Sequence, residues 1–187
     1  MEATTATEPS ATVGPIAAAV GTLLVGIVGL FAADSADAWD AVVVATCLPF
    51  LAIATWIDLR ELRIPNRLNA TFAATVLTVV TIATIADGGF GALGRSVGAA
   101  FALFAVYLAL HAISPGGFGG GDVKLGFGTG ALLGWFSWST LLQGALAAFV
   151  LNGVIAVVLL AATRGRLREL PFGPSIAIGA LLAIVAV

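Results

Sequence analysis

The sequence predicts an all-α protein, a polytopic membrane helix bundle of about seven spans. Two observations lead to this prediction. The 187 residues are 60% hydrophobic and only 10% charged, whereas soluble domains average about 25% charged residues. Charge-free stretches near the ~20 apolar residues that a helical span needs recur along the whole chain. We therefore predict one transmembrane domain over residues 13–187, preceded by a disordered polar tail at residues 1–12.

The first apolar stretch, Val13 to Ala33, has two interpretations. A secretory signal peptide would begin with a basic segment, but this one holds Glu2 and Glu8 and no lysine or arginine. The stretch is also long for the apolar part of a signal peptide. We favour a retained helix, with six spans as the alternative if this segment is cleaved.

Six more spans follow this stretch. Leu125–Thr163 contains 39 residues without a charge, which is enough for two helices, and we place the break near Trp138–Thr140. The other four spans are Ala41–Ile57, Leu68–Ala86, Ser96–Ile113 and Pro171–Val187.

The basic residues predict the orientation of the bundle. Loop 34–40 contains three aspartates and no basic residue, so we place it outside the cell. Alternation then places loops 58–67, 114–124 and 164–170 in the cytoplasm. Seven of the eight basic residues lie in these three loops, and only Arg95 lies outside.

Two aspartates lie at the ends of spans on this cytoplasmic face. Asp58 ends the second span, and Asp122 begins the fifth, 64 residues later. An ionisable residue at a membrane span is costly and therefore suggests a function. The alternative for Asp58, which has Arg60 and Arg63 beside it, is a helix cap or a solvated boundary charge.

A glycine run precedes the second aspartate. Residues 116–121 include five glycines, and such a run is expensive in backbone entropy. We expect something, such as another backbone, to approach it closely, and a flexible loop is the alternative. A P-loop is excluded because Asp122 and Val123 separate the glycines from Lys124, which Leu125 follows.

Other catalytic and binding chemistries find little support in the sequence. His111 is the only histidine and there is no Gly-x-Ser-x-Gly motif, so we interpret His111 as a packing or interfacial residue. Cys47 is the only cysteine, which excludes an internal disulfide and a cysteine-based zinc site. We predict no metal and no cofactor, and no basic tract is present for nucleic acid.

Two carboxylates that share a site suit peptide hydrolysis. At about 3 Å they do not both ionise easily, so they share one proton. The ionised member takes a proton from the water that attacks a peptide carbonyl, while the protonated member donates to the carbonyl oxygen. Such a pair titrates as a unit, so neither residue is assigned as the acid or the base.

Three motifs occur in order along the chain. Residues 119–124 fit Gly-x-Gly-Asp-x-Lys, Asp58 is followed by Ile-Pro-Asn at 64–66, and residues 171–174 read Pro-Phe-Gly-Pro before the last span. Together they resemble the type IV prepilin peptidases, the bacterial and archaeal membrane aspartyl proteases with a Gly-x-Gly-Asp motif. The resemblance covers about residues 41–182, which gives a six-helix core with an extra N-terminal helix.

The resemblance implies a function and a site. It implies an aspartyl endopeptidase that removes the leader peptide from prepilins or pseudopilins at the cytoplasmic face of a bacterial or archaeal cell membrane. Asp58 and Asp122 would be the catalytic pair. Residues expected to shape the site or contact substrate are Gly119, Gly121, Lys124, Pro65 and Asn66.

The resemblance also implies the partners of the chain. These are a prepilin or pseudopilin substrate and the lipid bilayer, and a homodimer is left open. Long bacterial members carry a methyltransferase segment with paired Cys-x-x-Cys motifs, whereas this chain has a single cysteine. We therefore expect cleavage without methylation, as in the short members that serve tight-adherence pili or archaeal filaments.

Two other functions are alternatives. A small transporter or a pilus-assembly scaffold would use the aspartates for ions or helix contacts. Transporters often contain internal repeats, but Asp58 and Asp122 lie in unlike contexts. A presenilin-like protease that cuts within helices is the second alternative, and the Ile-Pro-Asn segment and the short chain argue against it.

Three further expectations concern the surroundings of the aspartates. Gly126, Gly130 and Gly134 recur every four residues, which predicts close packing of one helix face against a neighbour. Pro65 is expected to end helical structure in the loop where substrate enters. Lys124 is expected to influence the nearby aspartate or contact substrate, or else to be an interfacial lysine.

Overall fold

The structure, a computed structural model, describes residues 38–87, 89–114, 118–163 and 170–187. These residues form helices and contain no strand, which confirms the all-α prediction for the described part of the chain. The tail 1–12 and the stretch Val13–Ala33 lie outside the described residues. The six helices are α1 (Ala38–Glu61), α2 (Asn66–Asp87), α3 (Phe90–Ile113), α4 (Gly120–Phe136), α5 (Trp138–Ala162) and α6 (Gly173–Val185).

Four of these helices are long and apolar enough to cross a membrane. They are α1, α2, α3 and α5, and they make the chain a multi-pass membrane protein. The other two helices are shorter, with 17 residues in α4 and 13 in α6. The count of seven spans therefore stays a prediction.

A single residue, Ser137, separates α4 from α5. Its backbone is extended, and its side-chain oxygen accepts a hydrogen bond from the backbone N–H of Thr140 at 2.9 Å. Ser137 is therefore the N-cap of α5 and satisfies one of the donors that a helix start leaves unpaired. The break predicted near Trp138–Thr140 lies one residue before that range.

Helix α4 lies at the centre of the bundle. It contacts all five other described helices, and most of its side chains are buried. Helix α5, in contrast, packs mainly against α6 and leaves most of its large apolar side chains exposed. Lipid is the natural solvent for that outer face.

The glycine face of α4 packs directly against α3. A Cβ atom on Gly130 would lie 2.6 Å from the backbone oxygen of Ala99, and one on Gly134 would lie 3.0 Å from the Cα of Ser96. The predicted close packing is therefore confirmed. The absence of these Cβ atoms lets the two backbones approach closely, and the resulting van der Waals packing stabilises a helix pair in lipid, where hydrophobic burial does not drive association.

Arg95 and Trp135 fix the C-terminal end of α4. The Arg95 guanidinium donates to the backbone oxygens of Gly134, at 2.7 Å, and Trp135. The indole N–H of Trp135 donates to the Asp40 carboxylate at 2.7 Å. Arg95 thus satisfies carbonyls that a helix end leaves unpaired, which gives a structural role to the one basic residue outside the three loops predicted to be cytoplasmic.

Candidate active site

Asp58 lies in the last turn of α1 and is buried, with 4% of its surface exposed. The backbone N–H of Gly173, the first residue of α6, donates to its Oδ2 atom at 2.8 Å. A Cβ atom on Gly173 would lie 2.8 Å from that same oxygen. Position 173 therefore requires a glycine, since the Asp58 carboxylate occupies the space that a side chain would take.

Asp122 is the third residue of α4 and is also buried, with 6% exposed. The backbone of Gly119, which precedes α4, forms a hydrogen bond with its carboxylate. A Cβ atom on Gly119 would lie 2.8 Å from Asp122 Oδ2. The second carboxylate oxygen, Oδ1, is buried and has no hydrogen-bond partner among the described residues.

The fold brings the two aspartates to the same end of the bundle. They come from α1 and α4, and their carboxyl groups interact electrostatically across the site. Each carboxyl group receives one backbone hydrogen bond, from Gly173 for Asp58 and from Gly119 for Asp122. Within the described ranges, no third His, Cys, Asp or Glu joins them to form a metal-binding group.

The loop between α1 and α2 lies directly against the glycine run. A Cβ atom on Gly121 would lie 3.2 Å from both the backbone nitrogen and the Cβ of Ile64. The Asn69 side-chain amide donates to the Gly121 oxygen at 3.0 Å. The predicted approach of another backbone is confirmed at Gly121, where a larger residue would push the loop away from α4.

Pro65 begins a helix rather than ending one. Helix α1 already ends at Glu61, and Leu62 turns the chain with a left-handed φ of 51°. Pro65 then precedes α2, and its carbonyl accepts the N–H of Asn69 at 3.2 Å. The prediction that Pro65 ends helical structure after Asp58 is therefore wrong, because the turn at Leu62 has already done so.

Lys124 ties α4 to the start of α2. Its ammonium group is exposed and donates to Asn66 Oδ1 at 2.6 Å. The predicted site-shaping residues Gly119, Gly121, Pro65, Asn66 and Lys124 thus lie in the segments around the two aspartates. Direct contact between Lys124 and substrate stays a prediction.

An aromatic cluster joins the two segments that carry the glycine donors. The rings of Phe118 and Phe172 lie 5.0 Å apart, and each immediately precedes its donor glycine. Tyr107 packs against both, at 5.2 Å from Phe118 and 5.9 Å from Phe172. Phe149 closes the cluster at 5.3 Å from Phe172.

Three residues that contribute to the site were given no role there from the sequence. Gly173 lies in a motif that the sequence analysis noted without giving it a role, and its partner Asp58 is 115 residues away. Tyr107 carried no signal except that it is the only tyrosine. His111, interpreted as a packing or interfacial residue, lies with Nδ1 2.6 Å from the backbone oxygen of Phe118.

The sequence matches one protein family. The model of the type IV leader peptidase family matches residues 45–162, which is more than half of the chain and includes both aspartates. The match begins inside α1 and ends with α5, so α6 and its donor Gly173 lie beyond it. No curated protein and no solved structure matches the chain.

Proposed function

Because the chain belongs to the type IV leader peptidase family, we propose that it is a membrane aspartyl endopeptidase. It removes the leader peptide from prepilins or pseudopilins, with Asp58 and Asp122 as the catalytic pair. The observation that carries this proposal is that two buried carboxyl groups from different helices lie at one end of the bundle and interact electrostatically, each held by a backbone hydrogen bond.

The proposed chemistry follows from two carboxyl groups in one buried place. Two negative charges there are expensive, so the pair is best occupied by one proton. Water loses a proton to the ionised carboxylate as its oxygen attacks the peptide carbonyl, whose own oxygen receives the shared proton. The tetrahedral adduct then breaks its C–N bond. The amine leaves with a proton from one carboxyl group, and a hydroxyl of the adduct returns its proton to the other, so the pair again holds one proton.

The unpartnered oxygen of Asp122 supports this assignment. Buried polar atoms are nearly always hydrogen-bonded, and Oδ1 has no such partner in the described part of the chain. A catalytic water or the carbonyl of a substrate would supply the missing bond. Because the pair acts as a unit, the roles of acid and base belong to both residues together.

The position of the aspartates suits a substrate that approaches from the cytoplasm. Asp58 lies in the last turn of a long apolar helix, so water and a peptide can reach its neighbourhood without crossing the bilayer. Exposed Arg60 and Arg63 lie just beyond it, and basic residues favour the cytoplasmic side. We therefore place the reaction at the cytoplasmic face of the cell membrane.

The test is cleavage of a prepilin in cells that express both proteins. Asp58→Asn and Asp122→Asn keep the size of the side chain but remove its proton chemistry, so each should lower cleavage at least about 100-fold. The gel mobility of the prepilin reports the leader. Asp40→Asn is the matched control, since Asp40 lies at the other end of α1 from Asp58 and an amide oxygen there still accepts the Trp135 N–H.

Two results would contradict the proposal. Full cleavage by either aspartate variant would exclude the paired mechanism. A wild-type protein that inserts normally but leaves every prepilin tested intact would favour the non-enzymatic transporter or scaffold.

A further inference from the structure

Two residues of α3 hold Phe118, the residue before the donor glycine of Asp122. The Tyr107 ring packs against the Phe118 ring at 5.2 Å, and His111 Nδ1 lies 2.6 Å from the Phe118 carbonyl oxygen. Residues four apart lie on the same helix face, so the two contacts come from adjacent turns. The carbonyl only accepts, so the histidine Nδ1–H is the donor.

Tyr107 also lies against the helix face that carries Asp122. A Cβ atom on Gly126 would lie 2.5 Å from the Tyr107 ring, and Gly126 is one turn beyond Asp122 on the same face of α4. Tyr107 is itself fully buried, with 1% exposed, and interacts electrostatically with Asp122. The ring therefore fills the space next to this aspartate and leaves no room for a side chain at Gly126.

The same ring reaches the segment that holds Asp58. Tyr107 contacts Phe172 at 5.9 Å, and Phe172 contacts Phe118 at 5.0 Å. Phe172 is followed directly by Gly173, the donor to Asp58. One aromatic cluster thus touches the residues that precede both donor glycines.

We infer that Tyr107 and His111 are positioning residues, which hold Phe118 so that the Gly119 backbone stays directed at Asp122. Through Phe172, Tyr107 also fixes the position of Gly173 and hence the separation of the two carboxyl groups. The kinetic consequence of this inference rests on the proposed function. Misplacement of a catalytic group by about 1 Å lowers a rate about 100-fold, so loss of either contact should lower kcat rather than raise KM.

The first test measures cleavage kinetics of purified protein in vesicles. Tyr107→Leu and His111→Ala should each lower kcat about tenfold or more while KM changes little. Tyr107→Phe keeps the ring contacts and should retain most of the activity. Phe101→Leu is the matched control, because Phe101 lies on the same helix but is 60% exposed and contacts only Phe127 among the ring pairs of the described chain.

The second test observes the donor amides directly and needs no activity. Protein labelled with ¹³C at the phenylalanine carbonyl and ¹⁵N at glycine gives one correlation for each Phe–Gly pair. The chain has four such pairs, at 90–91, 118–119, 127–128 and 172–173. Asp122→Asn and Asp58→Asn identify the Gly119 and Gly173 signals. Tyr107→Leu should move both signals, His111→Ala should move that of Gly119, and the 90–91 signal should stay.

The outcomes separate the inference from the proposed function. If wild-type protein does not cleave a prepilin, the proposed function fails, and the amide signals alone decide whether Tyr107 and His111 position the donors. If wild-type protein cleaves and His111→Ala keeps its full kcat, the inference is overturned. His111 is only partly buried, so its substitution should disturb membrane insertion less. If Tyr107→Leu does not insert, the kcat and amide signals of His111→Ala test the inference.

Discussion

The charged side chains at the two ends of the bundle differ in how they are hydrogen-bonded. At one end, Asp40 receives the indole N–H of Trp135, and Arg95 donates to the carbonyls that end α4. At the other end, Asp58 and Asp122 lie buried beside each other, and one oxygen of Asp122 has no partner among the described residues. The charged groups Asp40 and Arg95 thus have hydrogen-bond partners in the protein, whereas Asp122 keeps one carboxyl oxygen that has none among the described residues.

This difference suggests that residues at one end of the bundle stabilise the fold, whereas those at the other carry its activity. Burying two ionisable groups at one place costs free energy, which the rest of the fold must offset. The Asp40–Trp135–Arg95 contacts and the glycine packing of α4 on α3 supply rigid support for the helix that carries Asp122. Changes at the aspartate end should therefore alter activity, and changes at the Arg95 end should alter stability.

Gly173→Ala is expected to have the largest effect. Its added methyl group would lie 2.8 Å from Asp58 Oδ2 and 3.2 Å from Asp58 Cβ, so the carboxylate must move away from its donor. A displacement of about 1 Å lowers activity about 100-fold. Cleavage of a prepilin measures the loss, with membrane insertion checked in parallel.

Gly153→Ala is the matched control for this change. Gly153 lies in α5 with nothing within 4 Å of its Cβ position, so the same methyl group should leave activity unchanged. Equal activity in the two variants would contradict the assigned role of Gly173.

Arg95→Ala should have the next largest effect, but on stability rather than activity. Hydrogen bonds to charged groups contribute about 1.5–3 kcal/mol, and this substitution leaves the Gly134 and Trp135 carbonyls without their donor. The free energy of unfolding, measured by titration with SDS in mixed micelles, should fall by roughly that amount. Arg95→Lys keeps the charge but lacks the planar fork of donors, so its free energy of unfolding should lie between those of the wild type and Arg95→Ala. A fall in kcat without loss of stability would contradict the assignment of stability to this end of the bundle and activity to the aspartate end.

Trp135→Phe should have a smaller effect of the same kind. It keeps most of the ring but removes the N–H that donates to Asp40 at 2.7 Å. The free energy of unfolding should fall by about 1 kcal/mol. Trp138→Phe is the control, since Trp138 is half exposed at the start of α5 and should change stability less.

Lys124→Met should have the smallest effect on stability. The exposed ammonium group donates to Asn66, and water competes with such a bond at the surface, where even ion pairs contribute less than about 1 kcal/mol. Combining it with Asn66→Ala gives a double-mutant cycle, in which a coupling near zero would show that the bond is dispensable. A marked rise in KM would instead support contact between Lys124 and the substrate.

Much of the fold and the centre of the site could be predicted from the sequence. Hydropathy alone predicted a helix at each apolar stretch after residue 41, but several helices begin up to six residues earlier than predicted, as at Phe90 rather than Ser96. The glycine run predicted the close approach that the structure has at Gly121. These predictions succeed because the apolar length of a span and the absence of a side chain act locally.

The remaining features depend on contacts between distant segments. Arg95 looked like an exception to the charge pattern, and only the packed end of α4 shows its purpose. Gly173 and Tyr107 owe their positions to helices that meet side by side, which no spacing along the chain encodes. The end of α1 was misjudged for a related reason, since the left-handed turn falls on Leu62, a residue type that gives no signal for it.

The position of the aspartates near the ends of their helices has a consequence for which bond is cut. Asp58 and Asp122 lie within about one turn of the ends of α1 and α4, and each residue of a helix adds about 1.5 Å. Under the proposed function, the position of the bilayer then determines which substrate bond reaches the carboxyl groups. The apolar helix of a substrate sets its own depth in lipid, and the susceptible bond is the one whose distance from that helix matches the height of the carboxyl groups. Lengthening the substrate by one residue between its helix and its leader should therefore shift the cut by one residue, whatever the local sequence.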